Sequence, residues 1–387
     1  MKITFKINYH TNWGEMVYLV GDIEALGNDN EENALKLELN GFDDWTAEIE
    51  VPDTTPDFNY SYIIKHDNGS IRREWGTPHR FRRGRSAKTY ENFDQWQDQP
   101  IDRQYYSSAF TDCICHRNKQ ESPLTVKNGI INMRIYAPMI KGDEVLAICG
   151  GCEQLGNWNT DKAIVLNDAN YPQWEVNLEM KGLKTPFEYK FLILKKDSLE
   201  VIAWEAGNNR YFNYSPAQKN EVVAISGLRF NNPLAPWRGA GVAIPVFSVR
   251  SEEDFGVGDF YDLKLVVDWA EMTGQKFLQI LPINDTTMTH TWTDSYPYNA
   301  NSTFALHPMF LRLSAMGTLN DPDRQAHYDN LARELNSLTE IDYERVNQGK
   351  IAFTHELFAQ EGATTIQSQE FIDFVRKAIE FKRKVEE

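Results

Sequence analysis

The chain has 387 residues, of which 41% are hydrophobic and 12% aromatic. This content is enough to bury more than one core, and a usual domain size of about 100 to 200 residues predicts two or three domains. The formal net charge of −16 argues against nucleic acid or an anionic membrane as the main partner, because phosphate binding rests on clustered Lys and Arg. No segment approaches the roughly 18 apolar residues of a membrane span, so we expect a cytoplasmic protein.

The chain opens with a strand pattern and then repeats itself. Ile3, Phe5 and Ile7 alternate with polar residues, which is typical of a half-buried β-strand. Residues 17–75 and 146–204 align without a gap at a shift of 129 positions (174 minus 45). The shift pairs identical residues: Gly21 with Gly150, Leu26 with Leu155, Gly27 with Gly156, Ala34 with Ala163, Trp45 with Trp174, Phe58 with Phe187, Tyr60 with Tyr189 and Trp75 with Trp204. We expect two tandem copies of a unit of roughly 100 residues, each a separate small domain.

Both copies have an all-β pattern. Each contains short segments that are rich in β-branched and aromatic residues and bounded by Gly, Asn, Asp and Pro, which predicts a small β-sandwich. We place the first sandwich at residues 1–100 and the second at 123–230. Residues 101–122 are polar and lack strong periodicity, so we expect a linker on the surface. Four arginines between residues 80 and 85 form a basic cluster, which we interpret as a solvated loop.

The cysteines form two short pairs, Cys113 with Cys115 and a second pair at positions 149 and 152. Such pairs would resemble zinc ligands if they met in space. The repeat argues against this, because it aligns the second pair with Val20 and Ile23, which are apolar residues on a strand and at its exit. We therefore expect neither a zinc site nor a disulfide.

Three segments distinguish the second copy: Leu155–Trp158, Phe187–Phe191 and Trp204–Arg210. Together they resemble the family 20 starch-binding modules, and the likeness covers nearly the whole repeat. The resemblance implies that two tryptophans form an exposed platform and that three polar residues bond sugar hydroxyls. The matching residues are Trp158 and Trp204 for the platform, and Lys190, Glu205 and Asn209 for the hydroxyls.

A pair of indoles has a physical reason to bind such a sugar. One face of a glucose ring is lined with C–H groups, so a flat indole covers it while the rim hydroxyls stay available for hydrogen bonds. An α-1,4-linked chain curls, and two rings set at an angle match that curl. The alternative is that Trp158 and Trp204 are core residues. The turn-like neighbours Asn157 and Asn159 favour the exposed platform.

The first copy departs from this pattern. Asp29 takes the place of Trp158 and Ser61 that of Lys190, while Trp75 remains. We expect this site to be weak or lost.

The first copy has a second candidate site in the segment Thr11–Glu15. This segment resembles the loop of an additional glucan site in some members of the same family, with Trp13 as the stacking ring and Glu15 as a hydrogen-bond acceptor. The alternative is that Trp13 is an edge ring that covers the sandwich.

The pattern changes to α/β after about residue 235. Residues 241–246 form a strand pattern, Asp259 is a plausible helix N-cap, and Gly274 is a stop signal. Phe260, Leu263, Val266, Val267 and Ala270 recur at helical spacing. The segment 276–283 (KFLQILPI) predicts a strand of the kind buried in a parallel sheet, followed by a long polar loop over 284–308.

This region resembles the opening of the family 77 4-α-glucanotransferases, also called amylomaltases or disproportionating enzymes. The matching segments are Arg238–Gly241 with Pro245, Phe255–Asp259, Gly274–Gln275, Gln279–Pro282, Tyr296–Tyr298 and then Ser302, Phe304, Ala305 and Pro308. The resemblance implies the beginning of a TIM-type α/β barrel, with Tyr298 in the donor subsite. The alternative for Tyr298 is a ring that packs the loop against itself. Two starch-binding modules before such a barrel indicate the subgroup that moves glucosyl units between maltose or maltodextrin and a large branched glucan.

Retaining transfer needs two carboxyl groups about 5 Å apart, which this family carries on later barrel strands. A barrel takes at least about 200 residues, and only about 150 follow Pro233, so we assign no catalytic residue. The end of the chain has helical patterns, with Tyr328, Leu331 and Leu335 on one face, and we interpret residues up to 387 as the start of a helical insertion.

We therefore expect a multidomain chain with two all-β starch-binding sandwiches at residues 1–100 and 123–230, followed over 231–387 by the first part of an α/β barrel. The expected function is that of the N-terminal part of a cofactor-free 4-α-glucanotransferase acting on starch, glycogen, maltodextrin and maltose. Two alternatives stay open. One is a non-catalytic glycan-binding protein that docks a partner on the polysaccharide, and the other is an α-glucan hydrolase.

Overall fold

A computed structural model describes residues 1–115, 122–215 and 221–386, with side chains up to residue 379. The chain divides into two compact units, Met1–Ala235 and Pro236–Glu387. Within the part of the chain described, no helix has the length and apolar character that a membrane crossing requires.

The first copy folds as a β-sandwich. Its strands are β1 Lys2–Asn8, β2 Glu15–Gly21, β3 Leu35–Lys36, β4 Glu38–Leu39, β5 Asp44–Glu50, β6 Phe58–His66, β7 Ile71–Arg73, β8 His79–Phe81 and β9 Thr89–Asp94. The strands β3, β2, β6 and β7 lie side by side in one sheet, with β8 also paired to β6. The core between the layers contains Ile3, Phe5, Ile7 and Trp45, as the alternation in the sequence predicts.

The second copy repeats this arrangement. Its strands are β10 Ile130–Tyr136, β11 Glu144–Gly150, β12 Ile164–Val165, β13 Gln173–Glu179, β14 Phe187–Lys195, β15 Val201–Trp204, β16 Arg210–Phe212 and β17 Val222–Arg229. The strands β12, β11, β14 and β15 form one sheet, with β16 also paired to β14. Trp174 is fully buried in this core, as Trp45 is in the first, so both are packing residues.

The two sandwiches are joined by a continuous sheet. Its strand order is β13, β10, β17, β9, β1, β5 and β4, and the parallel pairing of β9 with β17 crosses from one copy to the other. Ile130 and Val222 of the second copy belong to the core of the first. The repeat predicted two separate domains, whereas here they form one compact unit because the edge strand of each is paired with the other.

The segment between the copies is partly packed. It contains the short helical turns Arg103–Tyr106 and Ala109–Ile114, and Tyr105 is buried. Residues 116–121 of the predicted linker lie outside the described part of the chain. The interpretation of the arginine cluster as a solvated loop is wrong for Arg82, which forms an ion pair with buried Glu175 of the second sandwich.

Cys149 and Cys152 are buried apolar neighbours within the second sandwich. Cys149 lies in β11, and Cys152 follows that strand. Burial raises the pKa of both thiols, so they stay protonated.

The second unit contains a strand, a helix and a parallel strand, followed by helices. The elements are β18 Gly241–Ala243, α1 Phe260–Met272, β19 Phe277–Gln279, α2 Leu313–Met316, α3 Pro322–Asn336, α4 Tyr343–Thr365 and α5 Gln369–Glu386. Asp259 caps α1 in a reciprocal capping box with Asp262, as expected of an N-cap. Arg312 forms ion pairs with both carboxylates and fixes this helix end.

One sequence expectation for this unit is wrong. The segment 276–283 is not a buried strand: only Phe277–Gln279 pairs, and the Phe277 ring is about half exposed. The physical reason is that β18 and β19 pair only with each other among the described strands, and two strands cannot cover their own faces. The helix predicted from the spacing of Phe260 to Ala270 is confirmed as α1, on which Ala270 is buried and Val267 is exposed.

The apolar core of the second unit lies elsewhere. It is built from the loops around α1 and from α3 and α4, and Tyr328 and Leu335 of the predicted helical face belong to it. Its buried members include Val246, Phe255, Val257, Phe310, Val346 and Phe353.

Candidate functional site

A turn of unusual backbone conformation carries Trp158. Three consecutive residues, Gly156, Asn157 and Trp158, have φ values of 79°, 49° and 64°. The left-handed region suits Gly and is tolerated by Asn, but it is strained for a bulky residue such as Trp. The turn is held at its ends, since the Trp158 amide donates to the Gly150 carbonyl at 2.9 Å.

The same turn exists in the first copy, where Asn28 and Asp29 have φ values of 51° and 59°. Asp accepts this conformation more easily than Trp does. The second copy therefore places a large aromatic ring where the backbone disfavours it. Such an outlier is a reason to look for function at Trp158.

The strained turn brings Trp158 beside Trp204. The ring centroids are 6.2 Å apart and the planes are tilted by 52°. Trp158 is 38% exposed. Gly151 lies under the indole, and a Cβ there would come within 3.2 Å of the Trp158 Nε1 atom, so a larger residue would crowd the ring. We call these two rings the indole pair.

Two predicted polar residues lie at the rim of the indole pair. Lys190 shares a sheet face with Trp204, because Trp204 pairs with Leu192 and side chains alternate along β14. The Lys190 Nζ donates to the Gly207 carbonyl at 2.6 Å, in the loop that follows Trp204. In the same loop the Asn209 amide donates to the Glu188 carboxylate at 2.9 Å, and both bonds are exposed.

The structure does not place Glu205 among these residues. Its side chain is buried, with 2% exposed. Arg210 donates from Nε and Nη2 to its two carboxylate oxygens at 3.0 and 2.5 Å, and the Asn231 amide donates at 3.1 Å. The Glu205 carboxylate thus holds the β15–β16 loop, and its oxygens face protein donors.

Trp13 belongs to the first sandwich. It is fully exposed, at 102%, so it does not cover the sandwich edge as the alternative interpretation would require. Glu15 is engaged locally, because Asn12 donates to it from its backbone at 2.7 Å. That backbone bond and the Asn12 side chain lower the pKa of Glu15, against an opposing effect of burial.

Trp75 lies apart from both of these sites. Its ring packs edge to face against Tyr106 at 5.8 Å, beside a cavity between the two sandwiches. The repeat aligns Trp75 with Trp204, but the aromatic neighbour comes from the segment between the copies. Sequence reasoning missed this neighbour, because the segment has no counterpart in the second copy.

Tyr298 belongs to the second unit. It is exposed and lies beside Tyr296, with ring centroids 5.4 Å apart and planes tilted by 55°. A cavity of about 340 Å³ lies in the same unit, lined by Trp292, His307 and Tyr343 but not by Tyr298.

Two titratable side chains of this cavity have structural partners. The His307 Nε2 bonds to the Tyr343 hydroxyl at 2.8 Å, and burial lowers the pKa of His307. Burial would raise the pKa of Asp294, but donors from Met288, Thr289 and His290 outweigh it and lower that pKa to about 2. The Asp294 carboxylate therefore stabilises the loop that contains these three residues. Within the described residues no group of three or more His, Cys, Asp or Glu side chains could hold a metal.

Family comparisons agree with the two copies and with the second unit. The model described as "Starch binding domain" matches residues 1–92 and 131–224, and the model described as "4-alpha-glucanotransferase" matches residues 244–382. The chain therefore consists of two starch binding domains and a segment of a 4-alpha-glucanotransferase domain. The first domain carries Trp13 and Trp75, the second carries the indole pair, and the glucanotransferase segment carries Tyr298.

Three relatives illustrate these matches. A rice (Oryza sativa subsp. japonica) protein named 4-alpha-glucanotransferase DPE2 is 29% identical over 96% of this chain and 41% of its own length. A 4-alpha-glucanotransferase of Chlamydia trachomatis is 36% identical over 37% of this chain and 27% of its own length. A cyclomaltodextrin glucanotransferase of a Bacillus species is 36% identical over 21% of this chain and 12% of its own length. The chain thus spans about two fifths or less of the length of these relatives.

Proposed function

We propose that this chain binds α-1,4-glucans, and that the indole pair of the second starch binding domain is the principal contact. The supporting observation is the geometry of Trp158: a strained left-handed turn holds its ring, partly exposed, at 52° to that of Trp204. A pair of tilted rings suits a curled chain, because each ring can cover the apolar face of one glucose unit. Lys190 and Asn209 then supply hydrogen-bond donors at the rim.

We propose Trp13 as a second, independent contact for the same polysaccharide. The ring is fully exposed in the first domain, where residue 29 is Asp and no indole pair forms. A single ring offers less apolar area than two, so its affinity is expected to be lower. Trp13 would add avidity on a long chain rather than strong binding of a short one.

We further propose that the whole protein transfers α-1,4-glucosyl units from maltose or maltodextrin to acceptors such as starch or glycogen. The parallel pair β18 and β19, joined through α1, supports an interpretation of the second unit as the beginning of an α/β barrel with a helical insertion. Retaining transfer would pass through a covalent glucosyl-enzyme and needs no cofactor. Tyr298, exposed on the loop after β19, would contact the donor sugar in this scheme.

The binding proposal is tested by titrating maltoheptaose into the chain by calorimetry. Trp158→Ala and Trp204→Ala should each weaken binding by on the order of 1 to 3 kcal/mol, the range for an aromatic face lost from an apolar contact. Trp269→Ala is the matched control, because this ring is about half exposed in the second unit. Unchanged affinity in both test variants would remove the site.

The transfer proposal is tested with the full-length protein. Release of glucose from maltose only when glycogen is present would support transfer, and release without an acceptor would indicate hydrolysis. A protein that binds glycogen but shows neither activity would support the non-catalytic alternative.

A further inference from the structure

A cavity of about 570 Å³ lies between the two sandwiches within the first unit. We call it the junction cavity. Side chains from both sandwiches and from the segment between them line it, among them Trp75, His79, Tyr106, Arg134, Tyr136 and Arg229. It is separate from the indole pair, neither ring of which lines it.

The lining of the junction cavity is rich in arginine, in an acidic chain. Four arginines, at positions 80, 82, 134 and 229, line it, whereas Asp57 is the acidic residue in its lining. His79 also lines it, but the buried carboxylates of Glu74 and Asp94 contact that ring and balance its charge. The chain as a whole has a formal net charge of −16. A local excess of arginine against that background favours an anionic ligand.

Two of these arginines have carboxylate partners. Arg80 pairs with Asp57 at 3.5 Å, and Arg82 pairs with buried Glu175. Their charges are balanced within the fold, so they serve the protein structure.

The other two arginines have no carboxylate partner among the described residues. Arg134 is 4% exposed, donates from Nη1 to the Arg80 carbonyl at 2.6 Å, and leaves its buried Nε without a partner. Arg229 lies over the Trp75 ring, with its guanidinium carbon 6.0 Å from the centroid. A buried cation with an unmet donor is costly, and an anion in the cavity would offset that cost.

The remaining wall is aromatic. Trp75 packs against Tyr106 at 5.8 Å, and Tyr106 against Tyr136 at 6.0 Å. Burial raises the pKa of Tyr106 to about 12, so its hydroxyl stays neutral and can donate or accept a hydrogen bond. Such a wall suits the C–H face and the hydroxyls of a sugar.

We infer that the junction cavity binds a glucosyl unit that carries a phosphate monoester. The phosphate contacts Arg134 and Arg229, because a guanidinium fork matches phosphate oxygens in a bidentate way. The sugar ring lies against Trp75 and Tyr106. Free hexose phosphate and a phosphorylated α-glucan share this chemistry, and the experiment below separates the two sources. The inference goes beyond the proposed function, since it uses other residues than the indole pair.

The test is a calorimetric titration of the whole chain with glucose 6-phosphate, glucose, inorganic phosphate, and one maltodextrin with and without a phosphate monoester. The unphosphorylated maltodextrin measures binding at the indole pair. At least one of the two phosphorylated sugars should bind more tightly than its unphosphorylated counterpart and than inorganic phosphate. A larger gain for glucose 6-phosphate over glucose would identify the free sugar as the ligand, and a larger gain for the phosphorylated maltodextrin over the plain one would identify the chain-borne group. No gain from the phosphate in either pair would overturn the inference.

Variants locate the binding. Arg229→Gln should weaken it about tenfold or more, as expected for a lost hydrogen bond to a charged group. Arg85→Gln removes the same charge from an exposed residue and should leave affinity within about twofold. Because Arg134 is buried, Arg134→Lys and Trp75→Ala are compared only after circular dichroism shows that they fold. Two results would contradict the inference. One is an equal loss of affinity in Arg85→Gln and Arg229→Gln, and the other is inorganic phosphate that binds as tightly as both phosphorylated sugars.

Trp158→Ala separates this site from the indole pair. This variant should bind glucose 6-phosphate with unchanged affinity.

Discussion

The Asp94 carboxylate of the first sandwich accepts a hydrogen bond of 2.5 Å from the Ser226 hydroxyl of the second. Tyr60 and Tyr62 donate to the same carboxylate at 2.8 Å each. Asp94 is buried, and a buried polar group is costly unless hydrogen-bond donors such as these satisfy it. The bond to Ser226 therefore ties the two domains together beside the β9–β17 pairing.

Ser226→Ala should weaken the first unit. It removes one donor to Asp94, and hydrogen bonds to charged groups contribute about 1.5 to 3 kcal/mol. We expect a loss of this size in the free energy of unfolding, measured with urea. Ser70→Ala, in an exposed turn of the first sandwich, is the control and should change stability by less than about 0.5 kcal/mol. Equal stability of the two variants would show that the bond contributes nothing.

His79 occupies the same buried network. Its Nδ1 contacts the Ser226 hydroxyl at 2.8 Å, and its Nε2 contacts the Glu74 carboxylate at 3.1 Å. Burial lowers the pKa of His79 and Arg134 lowers it further, but the charges of Glu74 and Asp94 outweigh both and raise the pKa above its ordinary value. The protonated ring is thus favoured in the folded protein.

The stability of the first unit should accordingly fall as pH rises. A group whose folded-state pKa is raised contributes fully below its unfolded pKa, about 6.5 for His, and its contribution is lost as pH passes the folded pKa. We expect the unfolding free energy to decline above about pH 6.5 relative to that of His79→Gln. Measurements should stop near pH 8, because the buried Lys350 of the second unit titrates with a pKa of about 8. If the unfolding free energies of the unchanged protein and of His79→Gln changed in parallel with pH, His79 would not be the cause of the decline.

The sequence predicted most of the first unit, because its repeat exposes the strand pattern twice. Trp45 and Trp174 fill equivalent core positions, and the shift of 129 residues carries β6 onto β14 residue by residue. Local patterns could not predict the β9–β17 pairing, since which edges meet depends on long-range packing. The packing of Tyr106 against Trp75 was missed because the segment that carries Tyr106 has no counterpart in the second copy.

The candidate site was predicted in part. A turn-like neighbourhood indicated that Trp158 is exposed, but the resemblance alone suggested a sugar contact for Glu205. No sequence signal revealed that Arg210, five residues later, folds back to occupy this carboxylate. In the second unit, the apolar run at 276–283 predicted a buried strand, because hydrophobicity reports what a segment can bury and not which neighbours cover it.

Backbone strain at Trp158 gives a prediction that separates stability from binding. Trp158→Ala and Trp158→Gly both remove the indole, so both should lose affinity for maltoheptaose equally. Gly accepts the observed φ of 64° without strain, whereas Ala in the left-handed region costs about 1 kcal/mol or more. We therefore expect the Gly variant to unfold at a higher urea concentration than the Ala variant.

The first copy supplies the control for this comparison. Asp29 has a φ of 59° in the equivalent turn. Asp29→Gly should likewise be more stable than Asp29→Ala, and neither change should alter maltoheptaose affinity. If Gly and Ala at position 158 were equally stable while they differ at position 29, the turn at Trp158 would not be under strain in solution.

A substitution at Glu205 tests whether its buried carboxylate has a structural role and no contact with the glucan. Its carboxylate is buried and bonded twice by Arg210 and once by the Asn231 amide, so Glu205→Gln leaves a charged guanidinium without its partner. Breaking a buried ion pair costs about 3 to 5 kcal/mol, and we expect a loss of that order in the unfolding free energy. Because Glu205 is buried and protein donors bond both of its oxygens, the folded fraction should bind maltoheptaose within about twofold of the unchanged protein, a difference well under 1 kcal/mol.

Asn209→Ala makes the opposite comparison. Its amide is exposed and donates to Glu188, so the substitution should change stability by less than about 0.5 kcal/mol. We expect the Asn209 side chain, at the rim of the indole pair, to bond a sugar hydroxyl. Its loss should weaken maltoheptaose binding by about 0.5 to 1.5 kcal/mol. A binding loss in Glu205→Gln larger than in Asn209→Ala, measured at a temperature where both are folded, would mean that Glu205 contacts the glucan after all and that its bonds to Arg210 open on binding.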